Sequence, residues 1–418
     1  MCRRLLLFFS LLALAATAAA APSVTFLSVP APGSSQEWVS GMVEGAAPAN
    51  YEVVLYIQVG GLWWGPKPYW DKPLTHIRSD RFWNTTFVTD PAKNDLKATR
   101  FAAYLIPKKA LNATIPPSLA GTAYLPAALS GFPREIQERR APVLRNVSIV
   151  RNGTPLTGIC FGPYLNGENP DYTVITQANI TRRLSVLRNR TTWVRSYGTF
   201  NGLQYFAATS HRLGMKNAAG AWLTKNRTAN MQAINALIAQ NRSADILIVG
   251  SEALLRNDLS DRDLVTYIQY VRKKVPDKPV GTADVYGEFL EHKSVIEASD
   301  VLFIHIFPFW ENVPINRAVN HTMAKYNETK RYAGKRPVVI AEYGWPDAGT
   351  PRQGAVPDRK NATRYFREMT RLLNSRNIPY FYFSAFDEAW KSGEPNGVGP
   401  HWGMYYGNLT IKPGRLPL

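Results

Sequence analysis

From residue 156 onward, apolar segments alternate eight times with segments of helical spacing. Met231, Ile234 and Leu237, for example, recur at the spacing of one helix face. Eight strand–helix units over roughly 260 residues match a closed (β/α)8 TIM barrel in number and length. An open doubly wound sheet is the alternative, but no glycine-rich phosphate turn follows the first apolar segment. The predicted strands span residues 158–164, 192–199, 217–223, 246–252, 280–286, 301–310, 338–345 and 380–388.

Residues 22–143 carry a different pattern, which predicts a small all-β sandwich domain ahead of the barrel. Short apolar runs such as residues 51–59 and 98–106 are separated by turns that contain Gly-Gly, Pro or Asp. Residues 60–70 concentrate aromatic residues among Gly and Pro, and we expect them to form a loop. Exposed aromatic rings stack on sugars, so this loop predicts a carbohydrate-binding module. The alternative is that the rings close the sandwich core.

Two further segments complete the predicted domain organisation. A basic, proline-containing connector at residues 133–142 ends the sandwich, a linker covers residues 144–155, and the barrel domain covers residues 156–418. Residues 1–21 have the pattern of a secretory signal peptide, because two arginines precede an apolar run that ends in alanines. The apolar run is short for a bilayer span, and the C-terminus lacks the hydrophobic tail of a lipid-anchor signal. We therefore expect a secreted monomer without a membrane anchor; an uncleaved anchor is the alternative.

Glycosylation sequons are more frequent than chance would give, which supports passage through a glycosylating secretory pathway. Positions that carry a glycan must face solvent. The sequons begin at Asn84, Asn112, Asn146, Asn152, Asn179, Asn189, Asn226, Asn241, Asn320, Asn327, Asn361 and Asn408.

Cysteine content and charge exclude several classes of function. Once the signal peptide is removed, Cys160 stands alone in an apolar segment, so we expect a buried structural thiol and no disulfide or zinc site. The formal net charge is +18, but Lys and Arg are not interleaved with aromatics, so we expect no nucleic-acid partner. Attraction to acidic extracellular polymers is the functional interpretation of the charge, and a solvated basic surface is the alternative.

Two of the predicted strands end in glutamate, Glu252 on the fourth and Glu342 on the seventh. Parallel strands in a barrel end at one mouth, so both carboxylates are expected to point into it. Paired carboxylates cleave glycosidic bonds. The alternative is a structural ion pair of each glutamate with an arginine such as Arg195 or Arg256.

The other strand ends supply aromatic and polar side chains to the same mouth. This composition suits a sugar, because flat rings stack on pyranose faces while carboxylates and amides bind hydroxyls. The predicted substrate-binding residues are Tyr164, Arg195, Tyr197, Ser251, Asp284, Tyr286, His305, Phe309, Trp310, Trp345, Asp387, Glu388, Trp390 and Lys391.

Four motifs resemble glycoside hydrolase family 17, the β-1,3-glucanases and related β-glucan transglycosylases. They are VGSEALLR at residues 249–256, IHIFPFWE at 304–311, EYGWP at 342–346 and AFDEAWK at 385–391. The resemblance implies a (β/α)8 fold, a β-glucan substrate and a retaining mechanism without metal or organic cofactor. It also implies that Glu342 is the nucleophile and Glu252 the acid/base. Glu252 is expected to be protonated before attack, its pKa raised by burial and by the other carboxylate.

The chain departs from the family pattern beside both glutamates. Ser251 stands where the family has an asparagine that would bond the 2-hydroxyl of the sugar, and losing such a bond costs roughly a hundredfold in rate. Tyr343 replaces a small polar residue, and Ala389 replaces a proline. A second hypothesis is therefore a glucan-binding cell-wall protein with weakened or lost catalysis. Hydrolysis and transfer, the linkage, and endo or exo action stay open at this point.

Overall fold

The computed structural model describes residues 20–111, 113, 114, 116–143, 145 and 157–415. Nearly all of the predicted signal peptide and linker lie outside these described residues, as do the sequons at Asn112, Asn146 and Asn152. No described helix combines the length and the hydropathy needed to cross a lipid bilayer.

The N-terminal domain is a β-sandwich of two antiparallel sheets, as the sequence predicts. The smaller sheet has the order β1-β2-β6, and the larger has the order β8-β4-β3-β7-β9 with β5 paired to β3. One short helix, α1 (Lys108–Leu111), follows β7. The strands are β1 (Ser23–Ser28), β2 (Trp38–Glu44), β3 (Tyr51–Val59), β4 (Leu62–Lys67), β5 (Leu74–His76), β6 (Phe82–Thr86), β7 (Arg100–Pro107), β8 (Leu119–Thr122) and β9 (Arg134–Glu138).

The core of the sandwich lies between the two sheets, because alternate residues of a strand point to the same face. Val39 and Trp83 of the smaller sheet share one fully buried cluster with Val53 and Phe101 of the larger sheet. The alternation of aliphatic and aromatic residues with other residues along the strands thus explains how the two sheets form one core.

Two sequence predictions for the sandwich are wrong. The predicted loop at residues 60–70 contains β4, which pairs with β3 and β8, since proline is tolerated at the end of a strand. Trp63 of β4 is buried, whereas Tyr69 and Trp70 are 52% and 55% exposed. The predicted connector at residues 133–142 contains β9, which pairs with β7 as an edge strand, where charged side chains are tolerated.

The C-terminal domain is a closed barrel of eight parallel strands in chain order, which confirms the predicted fold class. The strands are β10 (Thr157–Cys160), β11 (Trp193–Arg195), β12 (Lys216–Ala221), β13 (Ile246–Ser251), β14 (Val280–Val285), β15 (Val301–His305), β16 (Val338–Tyr343) and β17 (Tyr380–Tyr382). The helices around them are α2 (Gln177–Leu187), α3 (Phe206–Arg212), α4 (Arg227–Ala239), α5 (Asp261–Lys274), α6 (Tyr286–Glu291), α7 (Lys293–Ala298), α8 (Ile315–Ala333) and α9 (Arg359–Ser375).

All eight barrel strands end before the predicted C-terminal boundary. Apolar residues after the strands line the barrel mouth or fill the core around it. Hydropathy alone therefore does not show where the hydrogen bonds between neighbouring strands end. Cys160 ends β10 and is fully buried, with its Sγ 3.3 Å from the carbonyl oxygen of Ala341. Burial raises the pKa of this thiol to about 12, in keeping with a structural role.

The sandwich packs against the barrel through the outer face of its smaller sheet. Phe82 of β6 contacts the rings of Tyr267 and Tyr270 on α5. Next to them the buried Arg78 guanidinium pairs with Asp80 and with Asp263 of α5.

This interface bears on one predicted glycosylation site. The Nδ2 atom of Asn84 donates to the Oδ1 atom of Asp263 at 3.3 Å, and the Asn84 side chain is half-buried at the interface. Glycosylation at this position stays a prediction.

Candidate active site

Glu252 occupies a left-handed turn directly after β13. Its φ is +52°, that of Gly250 is +83°, and its backbone N–H donates to the carbonyl oxygen of Ala283 at 2.8 Å. The buried Asp284 carboxylate accepts the backbone N–H of Leu254 at 3.0 Å, which holds the turn from behind. Asp284 is thus a support for the Glu252 turn and does not line the cleft as predicted. Burial raises the pKa of Asp284 to about 6.

Glu342 lies inside β16, and only 6% of its side chain is exposed. Its Oε1 atom accepts a hydrogen bond from Nη1 of Arg195 at 2.9 Å. The fully buried Arg195 also donates to the Ala341 carbonyl oxygen at 2.9 Å and to the Ser251 Oγ at 3.0 Å. Arg195 therefore fixes Glu342 from below the cleft and does not line it, contrary to its predicted role as a substrate ligand.

His305, the last residue of β15, connects the two glutamates. Its Nδ1 atom lies 2.7 Å from Oε1 of Glu252, and its Nε2 atom lies 3.2 Å from Oε1 of Glu342. One polar atom of each of the three side chains falls within 4.8 Å of the other two. The two strand-end carboxylates predicted to meet at the mouth are thus adjacent.

The same three side chains are of the types that ligate divalent metals. Nη1 of Arg195, however, lies 2.9 Å from the Glu342 carboxylate and 3.1 Å from Nε2 of His305, so the two groups that would ligate a cation already face a fixed positive charge. The geometry fits an ion-paired carboxylate site better than a metal site.

The pKa of Glu252 is lower than its ordinary value, contrary to the prediction. Burial acts to raise this pKa, but the hydrogen bond and charge of His305, with the charges of Arg256 and Arg195, outweigh it. The prediction of a raised pKa rests on burial and the second carboxylate alone, and it treats His305 as a sugar ligand. Nothing in the sequence spacing indicates that His305 reaches Glu252.

A cleft of about 950 Å³ opens above the three residues. This is near the upper end of the range for ligand pockets, so the cleft has room for an oligosaccharide. The predicted site residues that line it are Tyr164, Tyr197, Ser251, Glu252, Tyr286, His305, Trp310, Glu342, Glu388, Trp390 and Lys391.

Three other predicted ligands lie away from the cleft. Phe309 and Trp345 are fully buried and contact each other in the core beneath the mouth. Asp387 accepts hydrogen bonds from Lys412 Nζ at 2.8 Å and from the Gly403 N–H at 3.0 Å. Their positions near strand ends match the prediction, but their side chains point into the core or toward the C-terminal segment.

Several cleft residues are absent from the sequence prediction. Trp222 directly follows β12 and is 44% exposed, and Phe200, in the loop after β11, is 48% exposed. An aromatic residue just past a strand was a usable signal for Trp222. Glu394 and Trp402 also line the cleft, but they lie in an irregular segment after β17 where no periodic pattern marks them.

The loop after β17 adds a buried ion pair to the cleft wall. Lys391 Nζ lies 2.7 Å from Oε2 of Glu388, whose Oε1 accepts a hydrogen bond from the Trp390 indole at 3.3 Å. Burial acts to lower the pKa of Lys391, but the charge of Glu388 outweighs it and the pKa lies above its ordinary value. The pair places the ammonium group of Lys391 as a hydrogen-bond donor and the carboxylate of Glu388 as an acceptor at the edge of the cleft.

The comparisons with known proteins agree with this geometry. Residues 158–403, more than half of the chain, match the model of the BtgE/BtgC glycoside hydrolase domain. The chain belongs to this family. The match confirms the resemblance to family 17 enzymes and the expected glycosidase class, and it spans every barrel strand from β11 to β17.

Individual relatives match the barrel region. A glucan 1,3-beta-glucosidase of Arthroderma benhamiae is 29% identical over 272 residues, which cover 59% of this chain and 87% of the relative. The solved glycoside hydrolase family 17 beta-1,3-glucanosyltransferase of Rhizomucor miehei is 32% identical, with a TM-score of 0.56 over 62% of this chain and 95% of that chain. An active-site mutant of that enzyme has been solved in complex with laminaritriose.

A more distant structure covers both domains. The β-glucuronidase of Bifidobacterium dentium is 12% identical, with a TM-score of 0.51 over 94% of this chain and 65% of that chain. At this identity the likeness concerns the fold alone, a β-sandwich domain together with a barrel.

Tyr343, which differs from the family pattern, does not line the cleft. Its side chain is fully buried, packs against Tyr365 of α9, and donates or accepts a hydrogen bond with Thr370 at 2.8 Å. Successive strand residues point to opposite faces, so Glu342 faces the mouth while Tyr343 faces the helices. Ser251, in contrast, does line the cleft.

Proposed function

We propose that the protein is a secreted, retaining β-1,3-glucan hydrolase or transglycosylase with Glu342 as nucleophile and Glu252 as acid/base. The observation that carries this proposal is the short separation of the two carboxylates, whose nearest oxygens lie within 4.8 Å. Retaining enzymes hold their carboxyl groups ~5 Å apart, whereas inverting enzymes leave room for a water molecule between them.

Glu342 suits attack on the anomeric carbon because Arg195 orients its carboxylate. The two groups are joined by a hydrogen bond of 2.9 Å, and both are buried. When Glu342 forms the glycosyl ester, its negative charge is lost. Water or a second sugar hydroxyl then attacks the same anomeric carbon while Glu252 accepts its proton, and the bond to Glu342 breaks and restores the carboxylate. Two displacements at one carbon retain its configuration.

Glu252 supplies the proton to the leaving oxygen, and the Nδ1 of His305, 2.7 Å from its Oε1 atom, holds the carboxyl group in place. The hydrogen bond and charge of His305 lower the pKa of Glu252, so this acid carries its proton at lower pH than an ordinary glutamate does. His305 thereby acts as a positioning residue for the acid.

The substrate class follows from the relatives and from the cleft. The named activities of the relatives are on 1,3-beta-glucans, and one related structure binds laminaritriose. In this chain, Phe200 and Trp222 follow β11 and β12, whereas Tyr286 and Trp310 follow β14 and β15, and all four line the cleft. The strand order therefore places the two pairs on opposite sides of β13 and β16, the strands associated with the glutamates. Sugar units bound on both sides fit cleavage of a glucan and transfer to a glucan acceptor.

The remaining proposals concern secretion and the sandwich. The signal-like residues 1–21 and the exposed sequons, such as Asn189 and Asn408, support a glycosylated extracellular or cell-wall protein. The exposed rings of Tyr69 and Trp70 support a carbohydrate-binding role of the sandwich, independent of the barrel. We propose a monomer without nucleic-acid partner.

A second candidate, a glucan-binding protein without turnover, is favoured by Ser251. Its Oγ lies 3.0 Å from Nη2 of Arg195 and replaces the longer amide that would reach the sugar. Ser251→Asn separates the two candidates: a large gain in rate at similar binding would identify the natural protein as impaired.

The product profile on a single β-1,3-linked glucose oligomer, read by mass, tests the activity directly. We expect new oligomers from the mature protein and none from Glu342→Gln. Shorter products alone identify a hydrolase, and products longer than the starting oligomer identify a transferase. An oligomer that binds but stays intact with the natural protein would contradict the enzyme and support the binding protein.

A further inference from the structure

We propose that the outer face of α9 binds a linear acidic polysaccharide, a polymer that carries a carboxylate on each sugar. The proposal rests on the proposed function, because an extracellular enzyme of polysaccharides works among such polymers. The surface itself is separate from the cleft and consists of Lys360, Arg364, Arg367 and Arg371, which we call the basic stripe.

The basic stripe is straight and exposed. Its members follow one another at intervals of four, three and four residues, and at 100° per residue they fall within an arc of roughly 60°. At 1.5 Å per residue they extend over about 16 Å of the helix axis. All four side chains are exposed, whereas the opposite face of α9 packs against the barrel.

The positive charge of the basic stripe is largely uncompensated. Arg364 pairs with Glu368, at 2.9 Å and with both side chains nearly half exposed. Within the part of the chain that the structure describes, no carboxylate oxygen lies within 4.0 Å of the charged nitrogens of Lys360, Arg367 or Arg371. Arg359, which precedes Lys360, and Arg376, which lies five residues after Arg371, are exposed cations as well.

The basic stripe works against the stability of its own helix. Like charges three and four residues apart on a helix repel one another. Arg359 and Lys360 also stand in the first turn, where the helix dipole disfavours cations and the only acidic residue is the N-cap, Asp358. A solvated face could carry charges of either sign, so solvation alone does not explain four cations in a line.

A carboxylate-bearing polysaccharide fits the basic stripe in spacing and chemistry. Side chains three or four residues apart on a helix are ~5–6 Å apart, comparable with the repeat of a chain that carries one charge per sugar. Three of the four cations are arginines, whose planar forks bind carboxylates through two hydrogen bonds. Since barrel helices run antiparallel to the strands, the Lys360 end of the basic stripe lies at the cleft side of the barrel.

Nucleic acid and membrane fit the surface less well. No large apolar or aromatic side chain of α9 is exposed. Single-stranded nucleic acids need rings on which their bases stack, and interfacial helices need an apolar face to bury in the lipid. An acidic polysaccharide needs neither.

The test uses the full mature protein, treated to remove N-glycans, and titrates it with polygalacturonate oligomers. One variant changes the four basic-stripe residues to Gln. The matched control changes four exposed cations elsewhere, Arg182, Arg188, Arg242 and Lys109, to Gln, so that both variants lose the same charge. We expect the basic-stripe variant to bind at least ~10-fold more weakly and the control to change less than ~2-fold.

Equal weakening of both variants would mean that overall charge is responsible and would overturn the proposal. So would wild-type protein that does not bind polygalacturonate, or that binds duplex DNA or phosphatidylserine vesicles more tightly at the same salt concentration. Thermal melting checks that both variants fold. Cleavage of a short neutral β-1,3-glucose oligomer is measured in parallel, and we expect the same rate from both variants as from the natural protein. This measurement distinguishes failure of the glucanase proposal from failure of the polysaccharide-binding proposal.

Discussion

At the residue scale, the central feature is that one histidine contacts both glutamates. His305 lies 2.7 Å from Glu252 and 3.2 Å from Glu342, and Arg195 binds Glu342 and Ser251 from below. The position of the two glutamates was predictable, because each follows a run of apolar residues in the sequence. The lowered pKa of Glu252 was not, because it arises from a residue 53 positions away along the chain that the barrel brings alongside.

Removing the His305 hydrogen bond should move the pH dependence of the reaction. His305 holds the pKa of Glu252 down, and activity is lost as pH rises through the pKa of the acid. For His305→Phe, which keeps a ring of similar size, we predict a lower kcat and a basic limb of the kcat/KM profile at higher pH. His321→Phe is the control, since His321 also bonds a cleft glutamate, Glu311, but does not touch Glu252. An unmoved basic limb in His305→Phe would show that His305 does not set this pKa.

At the scale of the elements, strand identity was predictable and strand length was not. All eight barrel strands agree with the prediction, because buried parallel strands are continuous apolar runs. The segments after β15 and β17 are also apolar, although they are not strands. They hold core residues such as Phe309 and cleft residues such as Trp390, so hydropathy does not separate strand from loop there.

Some residues lie at the predicted strand ends, but their side chains do not line the cleft. Asp284 belongs to β14, and its position matched the predicted mouth, but its carboxylate turns back to the Leu254 N–H. A left-handed residue such as Glu252 needs its turn held, and the buried Asp284 carboxylate does so by accepting the Leu254 N–H. The sequence gives no sign of that orientation.

At the scale of the whole molecule, the sandwich and the barrel share a buried polar cluster. Arg78 of the sandwich pairs with Asp263 of the barrel, beside Asp80 and Tyr267. The presence of two domains was predictable from the change in pattern near residue 150. Their contact was not, because the sequence of an outer-face strand does not show whether that face packs against another domain.

Breaking the cluster should destabilise the whole chain. Arg78→Ala leaves the buried Asp80 carboxylate without its cation, while Asp263 keeps only its 3.3 Å contact with Arg227. Breaking a buried pair in this way costs about 3–5 kcal/mol of unfolding free energy. Arg100→Ala is the matched control, because it breaks a pair with Glu138 whose side chains are about half exposed, worth less than ~1 kcal/mol. Calorimetry should give a clearly lower Tm for Arg78→Ala than for Arg100→Ala. Equal melting of the two variants would exclude a stabilising role for the cluster.

The configuration of the first-formed product tests the proposed mechanism most directly. Proton NMR can follow the anomeric signal of the new reducing end, or of the new linkage, during the first minutes of reaction with a β-1,3-linked glucose oligomer. Carboxylates with oxygens within 4.8 Å predict the β configuration, with no product from Glu342→Gln. An α-configured first product from the natural protein would mean inversion and would contradict the assignment of Glu342 as nucleophile.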